Sequence, residues 1–205
     1  TASSKALRKI QQEWLPLNNP SKRVLGVVIP MAEQAVEQSR CEKIGIIGTQ
    51  ATIESGAYQN ELRKINPKIK VFKKAAPLLV PLVESDWLGR PETKMILKKY
   101  LRPLKNKKID TLILGCTHYP FLERDIKKNM GKKVNIISAP DIVADKFQNY
   151  LNRHPEIKSK LDQQGKRLFY TTDDKAQFKL FAKKYLKIDI ENIKKVAFVA
   201  AKTEN

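Results

Sequence analysis

A thiol and an imidazole stand two residues apart in the stretch TLILGCTHYPFLERDI, which runs from Thr111 to Ile126. Apolar and β-branched residues lead to a glycine before Cys116, and a proline and an amphipathic charged run follow His118, which predicts a strand, a turn and a helix. A thiolate is the reactive form of cysteine, and a helix start or a neighbouring imidazolium lowers a thiol pKa. We also expect the first helix amides, from Thr117 to Phe121, to bind a carboxylate or another anion.

Two other interpretations compete with a catalytic Cys116. A lone cysteine is often only a small buried apolar residue, but the position after a strand and beside His118 favours function. A metal site needs two or three further ligands, and the chain has no CxxC or HxxxH spacing, so we expect no metal. The second histidine, His154, precedes Pro155 in a polar stretch and is expected to be solvated. Cys41 precedes a strand, at the wrong end of a sheet for a ligand site, and is expected to be structural or incidental.

Three further polar residues follow apolar segments. Thr49 and Thr52, in the stretch GTQAT, flank a predicted strand-to-helix turn, where their hydroxyls can bind a ligand or Thr52 can simply cap the helix. The surrounding sequence matches no phosphate-binding glycine loop. Glu84 ends the apolar segment PLLVPLVE, and its carboxylate faces either solvent or a cleft; the local sequence supports both.

Predicted strands and helices alternate along the chain, which indicates an α/β protein with a mainly parallel sheet. Ligands of such sheets bind beyond the carboxyl ends of the strands. Thr172 is expected to cap one helix, and Gly131 to end another. The predicted strands are Val24–Ile29, Lys43–Thr49, Ile69–Ala75, Thr111–Gly115, Val134–Ser138, Arg167–Thr172 and Val196–Ala200. The predicted helices are 1–14, 31–39, 52–65, 91–104, 120–130, 141–153 and 173–186.

The bulk composition narrows the function classes. The 205 residues carry a formal net charge of +19, which would favour an anionic small substrate. The lysines are dispersed along the chain and no nucleic-acid motif appears, so we do not expect nucleic acid as a partner. No run of 18 apolar residues exists, and we expect no membrane partner. Two cysteines do not make a disulfide framework, so a cytoplasmic protein is expected.

Several stretches together resemble one enzyme family. LILGCTHYPFL is similar to the signature around the second catalytic cysteine of glutamate racemases, and KIGIIGTQATIESGAY, PLLVPLVE and RLFYTTDDKAQFKLFAKKYL resemble further segments of that family. The opening TASSKAL resembles the sequence that follows the family's first catalytic cysteine. The resemblance covers nearly the whole chain in the right order.

The resemblance implies racemization of L-glutamate to D-glutamate without a cofactor, for peptidoglycan synthesis in bacteria. In this mechanism one cysteine thiolate removes the α-proton from one face, and the thiol of a second cysteine returns a proton on the other face. Cys116 is expected to be one of these two groups, His118 to tune it and assist the proton transfer, and Glu84 to support His118. The resemblance further implies substrate binding by Thr1 and Thr117, together with His118, and places Thr49 and Thr52 in the same pocket.

The family fold implied by the resemblance consists of two doubly wound α/β domains with mainly parallel sheets that face each other across the active site. Residues 1–40 are expected to be a remnant of the outer domain, residues 41–137 the middle domain, and residues 138–205 a segment that returns to the outer domain. The outer domain is then incomplete at its N-terminus, and we expect apolar surface to be exposed and stability to be poor. A homodimer is compatible with the resemblance.

The first catalytic cysteine of the family lies upstream of Thr1, and Cys41 falls at a different point of the fold. We therefore expect the 205-residue chain to be a fragment that is not a competent racemase alone. Two alternatives stay open: another member of the superfamily, such as an aspartate or hydantoin racemase or a one-cysteine decarboxylase, and a non-catalytic basic binding protein.

Overall fold

Four parallel strands form the main sheet in the computed structural model, which describes residues 1–162, 164–165 and 167–197. The order across the sheet is β2-β1-β3-β4, so every carboxyl end lies at the same edge. The parallel sheet expected from the sequence is confirmed. The strands are β1 (Lys43–Gly48), β2 (Lys70–Ala75), β3 (Thr111–Gly115) and β4 (Asn135–Ile137).

Helices connect these strands and cover both faces of the sheet. None of the helices within the described ranges is long and apolar enough to cross a membrane. A π-helical segment spans Ile10–Trp14, and a 3-10 turn spans Tyr119–Leu122. The α-helices of this part are α1 (Ala2–Lys5), α2 (Leu7–Lys9), α3 (Leu15–Asn18), α4 (Val28–Gln38), α5 (Gln50–Glu54), α6 (Ala57–Ile65), α7 (Leu79–Glu84), α8 (Pro91–Asn106), α9 (Glu123–Met130) and α10 (Ala139–Arg153).

The sheet is buried on both faces because side chains alternate along each strand. Ile46 and Ile113 pack in one cluster with Met31 of α4 and Leu62 of α6. Leu112 alternates with these residues and is fully buried on the opposite face. Because a shift of one residue would expose these apolar side chains, the alternation fixes the register of the strands. The register in turn determines where each strand ends and the polar residues of the site begin.

A second compact unit begins at His154. Its strands β5 (Phe169–Thr171) and β6 (Ile193–Lys195) pair in parallel. The strand predicted at Val196–Ala200 falls partly outside the described residues, because Phe198 to Ala200 are not among them; Val196 and Ala197 form no strand and directly follow β6. The remaining helices are α11 (Pro155–Lys158), α12 (Lys175–Phe181) and the π-helical segment Ala182–Leu186.

The strand predicted at Val24–Ile29 is wrong. No strand among the described residues lies beside this segment to share its hydrogen bonds, and α4 begins at Val28 instead. Leu25 and Ile29 stay partly exposed, as do Trp14 and Leu17. Apolar surface is therefore exposed in the first 40 residues, while the expected poor stability and the three predicted domain boundaries stay predictions.

Both predicted helix caps are also displaced. Thr49, rather than Thr52, caps α5 and accepts the Thr52 N–H. Asp174, rather than Thr172, caps α12 and accepts the Ala176 N–H. In each case the capping side chain belongs to the residue immediately before the first helical residue, where the backbone is extended. Gly131 ends α9 as predicted, with a positive φ of 89°.

Replacing Leu112 by Ala tests whether the sheet core determines stability. We expect the free energy of unfolding in urea to fall by about 3 kcal/mol, since the substitution leaves a cavity at a fully buried position. Leu17→Ala is the matched control, because Leu17 is 84% exposed and its replacement should change stability by less than about 0.5 kcal/mol. Equal effects of the two substitutions would contradict this description of the core.

Candidate active site

Two strand ends place the candidate residues at one height. In the parallel pairing of β1 with β3, Gly48 lies beside Gly115, so the next residues, Thr49 and Cys116, leave the sheet together. Cys116 is partly buried at this edge. The predicted location beyond the carboxyl ends of the strands is therefore where the structure brings these side chains together.

Glycines at the two strand ends allow close packing beneath the site. A Cβ on Gly115 would lie 3.1 Å from the Ile47 carbonyl oxygen and 3.3 Å from the Tyr58 ring. A Cβ on Gly48 would lie 3.3 Å from the Cβ of Thr52. The absence of these side chains lets α5 lie directly against the ends of β1 and β3.

Cys116, His118 and Glu84 form a continuous row of polar groups. The Cys116 Sγ is 3.9 Å from His118 Nδ1, and His118 Nε2 is 3.0 Å from Glu84 Oε1. The Glu84 carboxylate can only accept, so Nε2 of a neutral imidazole carries the proton and Nδ1 is left to accept the Cys116 S–H. The sequence left open whether Glu84 faces solvent or a cleft. In the structure its side chain is 51% exposed, and its carboxylate also contacts the imidazole of His118, which is 27% exposed.

Opposing effects act on the Cys116 thiol. Burial raises its pKa, backbone N–H groups of His118 and Tyr119 lower it, and Glu84 raises it; the net pKa is raised. Burial likewise raises the pKa of Tyr58 to about 12, with a smaller contribution from Cys116. At neutral pH the resting site therefore holds a protonated thiol, whose Sγ lies 3.9 Å from His118 Nδ1.

Two of the backbone N–H groups that were expected to bind an anion after Cys116 already donate to backbone carbonyls, so the prediction is wrong for these two groups. The Tyr119 N–H donates to the Cys116 carbonyl at 3.1 Å, and the Phe121 N–H donates to the His118 carbonyl at 3.2 Å. A tight 3-10 turn, not the α-helix, begins after Cys116, and it uses these donors internally.

Three hydroxyl groups form a cluster at the same edge of the sheet. The Oγ1 atoms of Thr1 and Thr49 are 2.8 Å apart, those of Thr1 and Thr52 are 3.1 Å apart, and those of Thr49 and Thr52 are 2.9 Å apart. Thr52 is buried, and Thr1 is exposed. Thr117 is exposed in the turn between Cys116 and His118. The four threonines of the predicted substrate site thus occupy the loops and the short helix around Cys116, and their binding role stays a prediction.

Cys41 lies at the opposite edge of the sheet. It precedes β1, its backbone N–H donates to Asp110 at 2.6 Å, and the register places it eight residues below Cys116. At about 3.3 Å per residue the two thiols are separated by roughly 25 Å. Among the described residues, no group of three or more His, Cys, Asp or Glu side chains could hold a metal ion.

Sequence reasoning missed one buried side chain beneath the site. Tyr119 is fully buried, and its hydroxyl donates to the Ala76 carbonyl at 2.9 Å. The only signal in the sequence is its place directly after His118, where an aromatic residue with a polar tip precedes a proline.

Comparison with known proteins gives consistent results. The family model described as Asp/Glu/Hydantoin racemase matches residues 9–146. A curated relative, the glutamate racemase of Sulfurihydrogenibium sp. (strain YO3AOP1), is 40% identical over 87% of this chain and 63% of its own length. The chain thus spans less than two thirds of that relative.

Two solved structures share the fold. The crystal structure of glutamate racemase isoform RacE1 from Bacillus anthracis is 34% identical, with a TM-score of 0.85 over 96% of this chain and 70% of that one. Glutamate racemase from Francisella tularensis subsp. tularensis SCHU S4, in complex with D-glutamate, is 26% identical, with a TM-score of 0.73 over 83% of this chain and 62% of that one.

Alkylation of Cys116 by iodoacetamide tests the row of polar groups. In a Cys41→Ser background only one thiol remains, and His118→Asn should slow its alkylation about tenfold at neutral pH because Nδ1 no longer accepts the proton. The rate should rise through and beyond about pH 8.5, since the raised pKa keeps the thiolate fraction growing there, and the two proteins should converge at high pH.

His154→Asn is the matched control for this alkylation experiment. His154 also pairs with a carboxylate, Glu156, at 3.0 Å, but it lies in the second unit. Its replacement should leave the rate unchanged. A His118→Asn protein that reacts as fast as its parent would contradict the proposed hydrogen bond.

Proposed function

Since the chain belongs to the Asp/Glu/hydantoin racemase family, we propose that it carries out proton transfer at the α-carbon of glutamate and interconverts the L- and D-enantiomers. The observation that carries this proposal is the row formed by Cys116, His118 and Glu84 at the carboxyl edge of the sheet. The D-glutamate in the related Francisella tularensis structure supports glutamate as the substrate.

Cys116 acts on one face of the α-carbon. The thiol is protonated at rest, so it is ready to donate a proton to the carbanion-like species. In the reverse direction Cys116 must act as a base, and it then loses its proton to His118 Nδ1 before it removes the α-proton. Glu84 accepts from Nε2 and holds the imidazole in the orientation that this transfer requires.

Substrate binding is assigned to the hydroxyl groups around Cys116. The α-proton of an amino acid is far less acidic than a thiol, so donors placed at the carboxylate must stabilise the negative charge that develops. Thr49 and Thr52, with Thr1 and Thr117, are the candidates for these donors, because they lie in the loops and the short helix at the same edge of the sheet. No step of this proposal uses a cofactor.

Inversion requires a second acid/base group on the opposite face of the α-carbon. Cys41 does not supply it, because it is roughly 25 Å from Cys116 along the sheet. We propose that another thiol supplies this group, and that the D-glutamate formed serves peptidoglycan synthesis in the cytoplasm. A homodimer is compatible with this proposal, but the proposed proton transfer does not depend on one.

Replacing Cys116 by Ser in the natural gene product tests the proposed role of the thiol. Circular dichroism of D- or L-glutamate solutions should show racemization slowed by about 1000-fold or more, since a hydroxyl is a far weaker acid than a thiol. Cys41→Ser should keep the parental rate. Aspartate measured in parallel should stay optically unchanged. Racemization that survives Cys116→Ser would overturn the assignment, and a preference for aspartate would overturn the substrate.

The 205-residue chain assayed alone tests the need for a second thiol. Its site contains one thiol within reach of the substrate, so we expect less than about one hundredth of the rate of the related glutamate racemase isoform RacE1 from Bacillus anthracis. The comparison uses equal concentrations of the two proteins and the same dichroism assay. Equal turnover would show that a single thiol suffices and would contradict the two-base mechanism.

A further inference from the structure

Two contacts join the turn after β3 to the segment that carries Glu84. At the exposed end, His118 contacts Glu84, the last residue of α7. At the buried end, the Tyr119 hydroxyl donates to the Ala76 carbonyl, three residues before α7 begins. Since α7 has six residues, about 9 Å of helix separates its two ends.

Ala76 is a fixed point of the fold. Its N–H donates to the Gly48 carbonyl at 2.9 Å, which ties it to the end of β1. Its carbonyl accepts the Leu79 N–H at 3.2 Å, at the start of α7, and it also accepts the Tyr119 hydroxyl. The buried contact therefore sets where α7 starts relative to the turn that holds Cys116.

Resting on the function proposed above, we propose that Tyr119 is a positioning residue that holds α7 so that the Glu84 carboxylate meets His118. Neighbouring residues 118 and 119 thus act at opposite ends of one short helix. Tyr119 does not touch the substrate in this proposal; it acts through Glu84 and His118. The burial of its ring excludes water, so the hydroxyl has Ala76 as a stable partner.

Removal of the Tyr119 hydroxyl leaves the core intact in our proposal. Phenylalanine keeps the ring, and the Ala76 carbonyl keeps its bond to the Leu79 N–H. Burial, and then the nearby Cys116, raise the pKa of Tyr119, so its hydroxyl remains a donor at any working pH. Tyr119→Phe is therefore expected to fold, with a circular dichroism spectrum like that of its parent.

The test measures Cys116 alkylation in the Cys41→Ser background and does not need glutamate. Tyr119→Phe should slow the reaction about threefold to tenfold at neutral pH, and Glu84→Gln should have a similar effect. The double variant should react no more slowly than the slower single variant, because both changes act on one contact. In a His118→Asn background, Tyr119→Phe should have no further effect.

The pH profile separates positioning from a general structural effect. The deficit of Tyr119→Phe should vanish in strongly alkaline buffer, where the thiol ionises without help from His118. A disturbed or less accessible site would instead react slowly at every pH. Tyr170→Phe is the matched control, because Tyr170 is half-exposed on β5 and its replacement should leave the profile unchanged.

Three results would overturn the positioning role. These are a folded Tyr119→Phe protein with the parental rate, an effect that persists in the His118→Asn background, and a Tyr119→Phe chain that does not fold. Failure of the proposed racemase function appears separately, as racemization that survives Cys116→Ser while the alkylation pattern described here is still found.

Discussion

Five of the six residues of β1 pair in parallel with the five residues of β3, and this pairing ends at Gly48 and Gly115. The placement of the threonine cluster beside Cys116 depends on this register. It brings Thr49 to the height of Cys116, and the glycines allow Thr52 to pack against both strand ends. A shift of one residue would turn the apolar side chains of β3 to the wrong faces of the sheet, so the packing of the core enforces the geometry of the site.

The row from Cys116 to Glu84 balances two requirements of an acid/base group. A thiol that is always ionised could not donate a proton, and one that never ionises could not accept one. Burial favours the protonated form, whereas the two backbone N–H groups and the His118 imidazole favour release of the proton. The three groups come from two elements, α7 and the turn after β3, so their separation depends on tertiary packing rather than on local sequence.

Most of the sheet and the central residues of the site could be predicted from the sequence, because they depend on local patterns. The apolar run Thr111–Gly115 and the change of pattern after it place Cys116 and His118 without any tertiary information. The pairing of Glu84 with His118 could not be worked out in this way, since it joins residues 34 apart through the position of α7. The resemblance to glutamate racemases suggested that pairing, but its geometry required the fold.

The errors have a common physical cause. The apolar run at Val24–Ile29 has the composition of a strand, but a strand also needs a neighbour, and none of the described strands lies beside it. Two of the amides expected to be free after Cys116 are bonded for a similar reason, because a 3-10 turn uses donors that an α-helix would leave open. In both cases the hydrogen-bond partners of the segment, rather than its composition, decide the local structure.

The half-exposed carboxylate of Glu84 has a consequence for isotopes. Only one imidazole separates this carboxylate from the thiol, so hydrogen on Cys116 has a short route to bulk water. In an enzyme that transfers protons, a deuterium label taken from the α-carbon of one substrate molecule would be diluted into the solvent before the next turnover. The stereochemistry of the product would then be set by the protein, while the hydrogen it carries would come from water.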